Sequence, residues 1–209
     1  MRAYENEEQA ITDALRLSRG MTYKSACASL PLGGGKSVIM ADPKTAKPEA
    51  MLRAMGRFID SLNGAYIGAE DSGTSVADLR VMHLETEYVA GIHERKLKDG
   101  TMADGDPSPS TAYGVYQGIK ASLQHRFKSD TLDGVKIAVQ GVGNVGGKLV
   151  ELLTAEGAKV FVSDAYEPAI AKVAKLNNVQ VVSNDDIHKL EVEVYAPCAL
   201  GATLNAQTL

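Results

Sequence analysis

A glycine-rich hexapeptide has the most specific spacing of any chemical motif in this sequence. It reads Gly141-Val142-Gly143-Asn144-Val145-Gly146 and lies between an apolar run and a segment with helical periodicity. Gly141 permits a tight turn, Gly143 lets the backbone approach a pyrophosphate, and Gly146 lets the helix pack close to the strand. The positive dipole end of that helix favours bound phosphates. The motif therefore predicts a dinucleotide-binding turn.

An aspartate about 20 residues further on strengthens this prediction. Asp164 follows the next predicted strand, where its carboxylate can accept hydrogen bonds from the ribose hydroxyls of adenosine and would repel a 2′-phosphate. NAD is therefore favoured over NADP. The alternative, a turn in an α/β unit that binds nothing, is disfavoured because strand, helix and acid all occur together.

Two lysines in the first part of the chain are candidates for catalysis. Lys24 falls near the end of a predicted helix, and Lys36 follows Gly33-Gly34-Gly35. These glycines let the backbone pack closely around Lys36, and its apolar neighbours would draw the side chain inward. A partly buried ammonium loses its proton more readily, so it can act as a base. For either lysine taken alone, a solvated surface charge is the alternative.

Asp71 is the third candidate, and it lies at a predicted strand-to-loop junction in Ala69-Glu70-Asp71-Ser72-Gly73-Thr74. Carboxylates at such junctions commonly face a cleft. A helix N-cap is the alternative role for Asp71, and the sequence alone leaves both open.

Alternating helices and strands must position these residues. Helical periodicity and short apolar runs predict helices at 6–30, 48–62 and 75–91 and strands at 37–40 and 65–69. Asn6 is placed to cap the first helix, and Thr74 or Ser75 to cap the third.

A stretch at 93–110 lacks periodicity and is rich in glycine, proline and charge, so it predicts a loop and a boundary between domains 1–110 and 111–209. A helix from Thr111 follows, and then strands and helices alternate. The predicted strands are 135–140, 159–162, 179–182 and 192–196, and the predicted helices are 145–155 and 168–176. The fold class is therefore α/β, with an N-terminal α/β domain followed by a Rossmann-type, doubly wound parallel sheet.

Composition and charge narrow the class of function. The 209 residues carry a formal net charge of -4, which disfavours binding to nucleic acid or to an anionic membrane surface. No secretion signal or bilayer-spanning apolar run occurs, so a cytoplasmic protein is expected. The cysteines and histidines share no metal-ligand spacing, so no metal site is predicted. These residues are Cys27, Cys198, His83, His93, His125 and His188.

Six motifs occur in a characteristic order along nearly the whole chain. They are Gly20-Met21-Thr22-Tyr23-Lys24, Leu32-Gly33-Gly34-Gly35-Lys36, the segments 69–74, 106–115 and 141–146, and the segment 196–202 that begins Ala196-Pro197-Cys198. In this order and spacing they resemble the glutamate/leucine/phenylalanine/valine dehydrogenase family, and most of all its leucine dehydrogenases.

The resemblance implies a role for each matching residue. Lys24 would bind the substrate α-carboxylate, Lys36 would activate water, and Asp71 would exchange protons with the substrate nitrogen. Further residues would line part of the side-chain pocket (Met21, Ala69) or lie near the nicotinamide amide (Thr111). The implied NAD contacts are Gly141, Gly143, Asn144, Val145, Gly146, Asp164, Ala196, Pro197 and Cys198.

The implied activity is reversible, NAD-dependent oxidative deamination of a branched-chain L-amino acid to a 2-oxo acid and ammonia, in a homo-oligomer. The same chemistry on glutamate, valine or phenylalanine is an alternative. Family members are longer at both ends, so we expect a fragment with both domains incomplete, and a catalytically silent dinucleotide-binding module is a second alternative. A shikimate or methylene-tetrahydrofolate dehydrogenase is disfavoured, because its motifs would not include Gly-Met-Thr-Tyr-Lys and Ala-Pro-Cys.

Overall fold

A computed structural model describes residues 1–43, 45, 47–96, 102–201 and 203–208. The chain divides into two compact units, Met1–Asp106 and Pro107–Leu209. Ala202, the last residue of the 196–202 motif, lies outside the described residues. No helix in the described ranges has the length and apolar character needed to cross a membrane.

The first unit is built mainly from helices. Its elements are α1 (Glu7–Cys27), α2 (Glu49–Asp60), α3 (Val76–His83) and a short antiparallel pair, β1 (Arg95–Lys96) and β2 (Met102–Ala103). Its apolar core lies between α2, α3 and the segment that follows α3. The buried residues of this core are Leu52, Ile59, Leu79, Met82, Val89 and Ile92.

Local sequence explains the starts of α1 and α3 and the end of α2. The side chain of Asn6 accepts a backbone hydrogen bond and caps α1, as predicted. Ser75 caps α3 in a reciprocal arrangement with Asp78, in which each side chain accepts from the other residue's backbone N–H. After α2, Asn63 and Gly64 adopt positive φ angles of 48° and 81°, a conformation that these residue types tolerate and that ends a helix.

The two strands predicted in this unit are wrong. Residues 37–40 and 65–69 do not form strands, and each segment makes one isolated bridge. These bridges join Met40 to Arg2 and Gly68 to Val89. A strand needs successive backbone pairs with a neighbour, and among the described residues each segment has such a bridge at one position.

The third helix is shorter than predicted. It ends at His83 rather than near residue 91, because the chain turns back to pair Val89 with Gly68. In this pairing the N–H of Gly68 donates to Tyr88 O at 2.9 Å and the N–H of Ala90 donates to Gly68 O at 2.8 Å. The long-range pairing buries Val89, which helical spacing alone had placed on α3.

The second unit is a parallel α/β structure and confirms the predicted Rossmann-type class. Four parallel strands form one sheet in the order β5-β4-β3-β6. Its elements are α4 (Ser108–Phe127), β3 (Lys136–Gln140), α5 (Asn144–Ala155), β4 (Lys159–Ser163), α6 (Glu167–Val173), β5 (Val179–Val181), a 3₁₀ turn (Ile187–Lys189) and β6 (Val194–Pro197).

The predicted start of α4 at Thr111 is wrong, since the helix begins at Ser108. Pro109 lies in its first turn, where a missing N–H leaves no intrahelical hydrogen bond unmade. Proline in a charged stretch that contains glycine predicts a loop, but in the first turn it is compatible with the start of a helix.

The core of this unit joins the sheet to α4 and α5. Ile137 and Val139 of β3 are fully buried, as are Leu149 and Leu153 of α5. Strands buried on both faces read as continuous apolar runs, which explains the clear sequence signal of β3. Because β3, β4 and β6 are parallel neighbours, their carboxyl ends meet at one edge of the sheet, where ligands bind in this class of fold.

Candidate active site

Lys36 and Asp71 form an ion pair in the first unit. The Nζ atom of Lys36 donates a hydrogen bond to Asp71 Oδ2 across a separation of 35 positions in the chain. The lysine side chain is 20% exposed and the aspartate side chain is 54% exposed. Two of the three predicted catalytic residues are therefore in direct contact, with the amine the more enclosed of the two.

Two features of the surroundings of Lys36 shift its amine toward the neutral form. Burial lowers the pKa of the Lys36 amine from its ordinary value, the positive charge of Lys24 lowers it further, and the negative charge of Asp13 opposes both. Lys24 is exposed in the last turn of α1. The charge of Lys24 thus acts on the amine of Lys36. A lysine with a lowered pKa is more often neutral and is then able to accept a proton.

Asp71 lies in a turn that is held by hydrogen bonds with Ser72 and Thr74. The N–H of Asp71 donates to Thr74 Oγ1 at 3.1 Å, and the N–H of Thr74 donates back to Asp71 O at 2.9 Å. Asp71 Oδ1 accepts from the N–H of Ser72 at 2.6 Å, and Oδ2 faces Lys36. The alternative role of Asp71 as a helix N-cap is wrong, because Ser75 caps α3.

Two acidic residues that the sequence analysis did not single out affect this region. Asp13 accepts a hydrogen bond from the Tyr4 hydroxyl at 2.7 Å and acts electrostatically on Lys36. It precedes Lys24 by 11 positions, which is about three helical turns, and this spacing on one side of α1 was a usable signal. Glu70 is half-buried, and its pKa is raised by burial and by the charges of Asp106 and Asp104.

The two residues predicted to line the substrate pocket lie close in sequence to Lys24 and Asp71, respectively. Met21 is half-buried on α1, and Ala69 is exposed shortly before Asp71. Their part in a side-chain pocket stays a prediction.

The glycine-rich turn of the second unit has the geometry that the sequence predicts. Gly141 has a φ of +89°, and a Cβ there would lie 2.5 Å from the backbone nitrogen of Ala199. A Cβ on Gly146 would overlap the carbonyl oxygen of Gly141. At Gly143 an added Cβ would meet nothing within 4 Å. Two glycines therefore permit the turn itself, while the third leaves open space at the start of α5.

Asp164 faces this turn from the end of β4. Its Oδ2 accepts from the N–H of Val142 at 2.7 Å, and its Oδ1 accepts from the N–H of Tyr166 at 2.8 Å. Each carboxylate oxygen has a second lone pair that a ligand hydroxyl can use. The residues present therefore fit a dinucleotide: an open helix N-terminus at Asn144 and Val145 for phosphate, and a carboxylate beside it for ribose.

The segment at the end of β6 borders the same turn. Ala196 is buried, Pro197 ends the strand, and the N–H of Cys198 donates to Gln140 O at 2.7 Å. Burial raises the pKa of the Cys198 thiol, which disfavours the thiolate and a nucleophilic role. Thr111 is exposed and is the fourth residue of α4. Its contact with nicotinamide stays a prediction.

Models of known protein families match parts of both units of the chain. A family model described as "Glu/Leu/Phe/Val dehydrogenase, dimerisation domain" matches residues 1–88, and one described as "Glutamate/Leucine/Phenylalanine/Valine dehydrogenase" matches residues 106–168. The chain belongs to this dehydrogenase family. The resemblance of the six ordered motifs is thereby confirmed.

Individual members of the glutamate/leucine/phenylalanine/valine dehydrogenase family are similar over the whole chain. The leucine dehydrogenase of Geobacillus stearothermophilus is 50% identical over 206 residues, which are 99% of this chain and 55% of that protein. An L-tryptophan dehydrogenase of Nostoc punctiforme is 47% identical over 206 residues, with 99% and 56% coverage. The crystal structure of L-tryptophan dehydrogenase from Nostoc punctiforme matches with a TM-score of 0.70 and 46% identity, covering 98% of this chain and 56% of that one. The chain therefore spans about half the length of the curated relatives it matches.

Proposed function

We propose that this protein catalyses the NAD-dependent oxidative deamination of a branched-chain L-amino acid to its 2-oxo acid and ammonia. The observation that carries the proposal is the contact of Lys36 with Asp71, together with the effect of the Lys24 charge on the pKa of Lys36. An amine with a lowered pKa beside a carboxylate supplies both a base and a proton carrier. Membership of a dehydrogenase family supports this use of the groups.

Each of the three side chains has a separate part in the proposed reaction. The ammonium of Lys24 binds the substrate carboxylate as an exposed cation at the end of α1. The neutral amine of Lys36 takes a proton from water, which then attacks the imino carbon. Asp71 takes a proton from the substrate nitrogen before the hydride leaves and returns it to that nitrogen after water has added. The C–N bond then breaks as ammonia leaves, and the hydroxyl gained from water gives up its proton to solvent as the carbonyl forms. Met21 and Ala69 contribute to the pocket for the substrate side chain.

The second unit holds the cofactor in this proposal. When bound, NAD⁺ supplies the acceptor for the hydride that leaves the substrate Cα. Gly143, Asn144 and Val145 offer open space and backbone N–H groups to the pyrophosphate. The carboxylate of Asp164 accepts hydrogen bonds from the ribose hydroxyls, and its negative charge disfavours a 2′-phosphate. The other proposed contacts are Thr111, Gly141, Gly146, Ala196, Pro197 and Cys198.

The division of labour follows the chain. We assign substrate binding and proton transfer to domain 1–110 and cofactor binding to domain 111–209. The family model on residues 1–88 is described as a dimerisation domain, which supports a homo-oligomer as the assembled state.

An assay with a panel of amino acids tests the proposal. The purified protein is incubated with NAD⁺ or NADP⁺ and with L-leucine, L-valine, L-isoleucine, L-phenylalanine, L-tryptophan or L-glutamate, and formation of the reduced nucleotide is followed by absorbance. We expect turnover with NAD⁺ and the highest kcat/KM for a branched-chain substrate. Turnover on an aromatic substrate or glutamate alone would change the substrate class. Binding of NADH with no turnover on any substrate would instead identify a silent dinucleotide-binding module.

The charge of Lys24 should be visible in the pH dependence of catalysis. The Lys24→Met change removes a positive charge that lowers the pKa of Lys36, so this pKa rises and the amine becomes neutral only at higher pH. The acidic limb of the kcat/KM profile, which reports the free protein and rises as Lys36 loses its proton, is therefore expected to move to higher pH. A pH series of kcat/KM for leucine measures this shift, apart from the general loss of affinity that removal of the carboxylate-binding cation causes.

Lys24→Arg is the matched control for this experiment. Arginine keeps the positive charge at all relevant pH values, so the acidic limb should stay close to its original position in this variant. An equal shift in both variants would contradict an electrostatic effect of Lys24.

A further inference from the structure

The backbone that carries Lys36 is packed against two other segments of the first unit. On one side, a Cβ on Gly34 would overlap the carbonyl oxygen of Ser18 and the backbone nitrogen and Oγ1 of Thr22, all on α1. On the other side, a Cβ on Gly35 would lie 2.9 Å and 3.0 Å from two ring carbons of Tyr66. The contacts of Gly34 with backbone atoms cannot be relieved by a side-chain rotation, so the loop can lie this close to α1 because Gly34 has no side chain.

A hydrogen bond fixes the same loop immediately after Lys36. The hydroxyls of Ser37 and Tyr66 lie 2.8 Å apart. Tyr66 precedes Asp71 by five positions on the segment that carries the carboxylate, whereas α1 carries Lys24. The loop is thus attached on one side to the helix that bears one catalytic group and on the other to the segment that bears the second.

The neighbouring glycine has different surroundings. A Cβ on Gly33 would meet nothing within 4 Å. None of Gly33, Gly34 and Gly35 has a positive φ, so replacing any of them with alanine acts through space and not through backbone strain. Alanine substitutions at the three consecutive glycines are therefore matched controls for one another. Each adds the same methyl group, but only at Gly34 and Gly35 does this group meet neighbouring atoms.

We propose that Gly34 and Gly35 are positioning residues that set the place of the Lys36 amine between Lys24 and Asp71. This inference rests on the proposed function for its effect on turnover. An added methyl group at Gly34 pushes the loop away from α1, which separates the two lysines, exposes the amine to water and loosens its contact with Asp71. The same group at Gly35 meets a ring edge, which gives way more easily than backbone.

Alanine substitutions at the three positions test the proposal. Displacement of a reacting group by about 1 Å can cost on the order of 100-fold in rate, so we expect a loss of this order in kcat for Gly34→Ala, a smaller loss for Gly35→Ala and no change for Gly33→Ala. In the same order, the pKa of Lys36 should rise toward that of an exposed lysine. This pKa is measured by trace acetylation over a pH series, with mass spectrometry of the peptide that contains Lys36.

The two readouts separate this proposal from the proposed function. If the unsubstituted protein turns over no amino acid, the function fails, while the acetylation order still decides whether the glycines position Lys36. Equal Lys36 pKa values in folded Gly33→Ala and Gly34→Ala proteins would overturn the inference, as would the reverse order. If Gly34→Ala does not fold, as judged by circular dichroism, the comparison of Gly35→Ala with Gly33→Ala decides in the same way.

Discussion

The Lys36→Met variant is expected to lose between about 10²-fold and 10⁴-fold in kcat, the range typical for removal of a general acid or base. Methionine keeps an unbranched apolar side chain in a place that is largely enclosed and removes the group that accepts the proton. Asp71 then faces no amine, and water near the imino carbon has no base. The measurement is the rate of NADH formation with leucine at saturating NAD⁺.

Two comparisons make this result specific to proton transfer. Lys36→Arg keeps the charge next to Asp71 but cannot act as a base, so it should be nearly as inactive as Lys36→Met. NADH affinity, measured by the change in its fluorescence, should be unchanged in both variants, because the proposed cofactor residues belong to the second unit. Substantial turnover by Lys36→Arg would show that position 36 needs only a cation.

The glycines of the nucleotide-binding turn are expected to respond in opposite ways to substitution. Gly143→Val should leave the melting temperature nearly unchanged, because its Cβ meets nothing within 4 Å, and should weaken NADH binding. Loss of one charge-assisted hydrogen bond to phosphate costs roughly 1.5–3 kcal/mol, which corresponds to roughly a 10-fold to 150-fold higher Kd.

Gly146→Ala should act on the fold first. Its Cβ would overlap the carbonyl oxygen of Gly141 and approach Cys198, and overpacking of this kind typically costs about 1–3 kcal/mol of stability. Thermal unfolding without cofactor measures the difference. A melting temperature that falls more for Gly143→Val than for Gly146→Ala would contradict the separation of the two roles.

Local signals in the sequence were sufficient to place α1 to α6 and the strands of the second unit, but not the end of α3 or the start of α4. Asn6 and Ser75 are caps whose effect depends on residues within one turn. Three successive residues of β3 are buried, and so are Val160 and Val162 of β4, so these apolar runs stand out without knowledge of their neighbours. The spacing of Gly141, Gly143 and Gly146 likewise reflects contacts within a single turn.

The first unit could not be predicted as well, because its backbone bridges join residues that are far apart in the sequence and involve one residue pair each. The segments at 37–40 and 65–69 have strand-like composition, yet within the described part of the chain each pairs at a single position with a residue from elsewhere. The role of Asp13 was also missed, because its effect on Lys36 requires the loop and α1 to be close in space. Close packing around Lys36 was predicted from its three glycines, whereas the partners of Gly34 and Gly35, and the open space at Gly33, are visible only in three dimensions.

The enclosure of the Lys36 amine has a thermodynamic cost to the folded chain. Because its pKa is lower in the folded state than in the unfolded state, the folded state is penalised at pH values below the folded pKa, where both states carry the proton. The penalty shrinks as pH rises through the folded pKa and is gone above the unfolded value. The residue most needed for turnover is thus one that weakens folding at neutral pH, and its apolar replacement should unfold at a temperature no lower than the original.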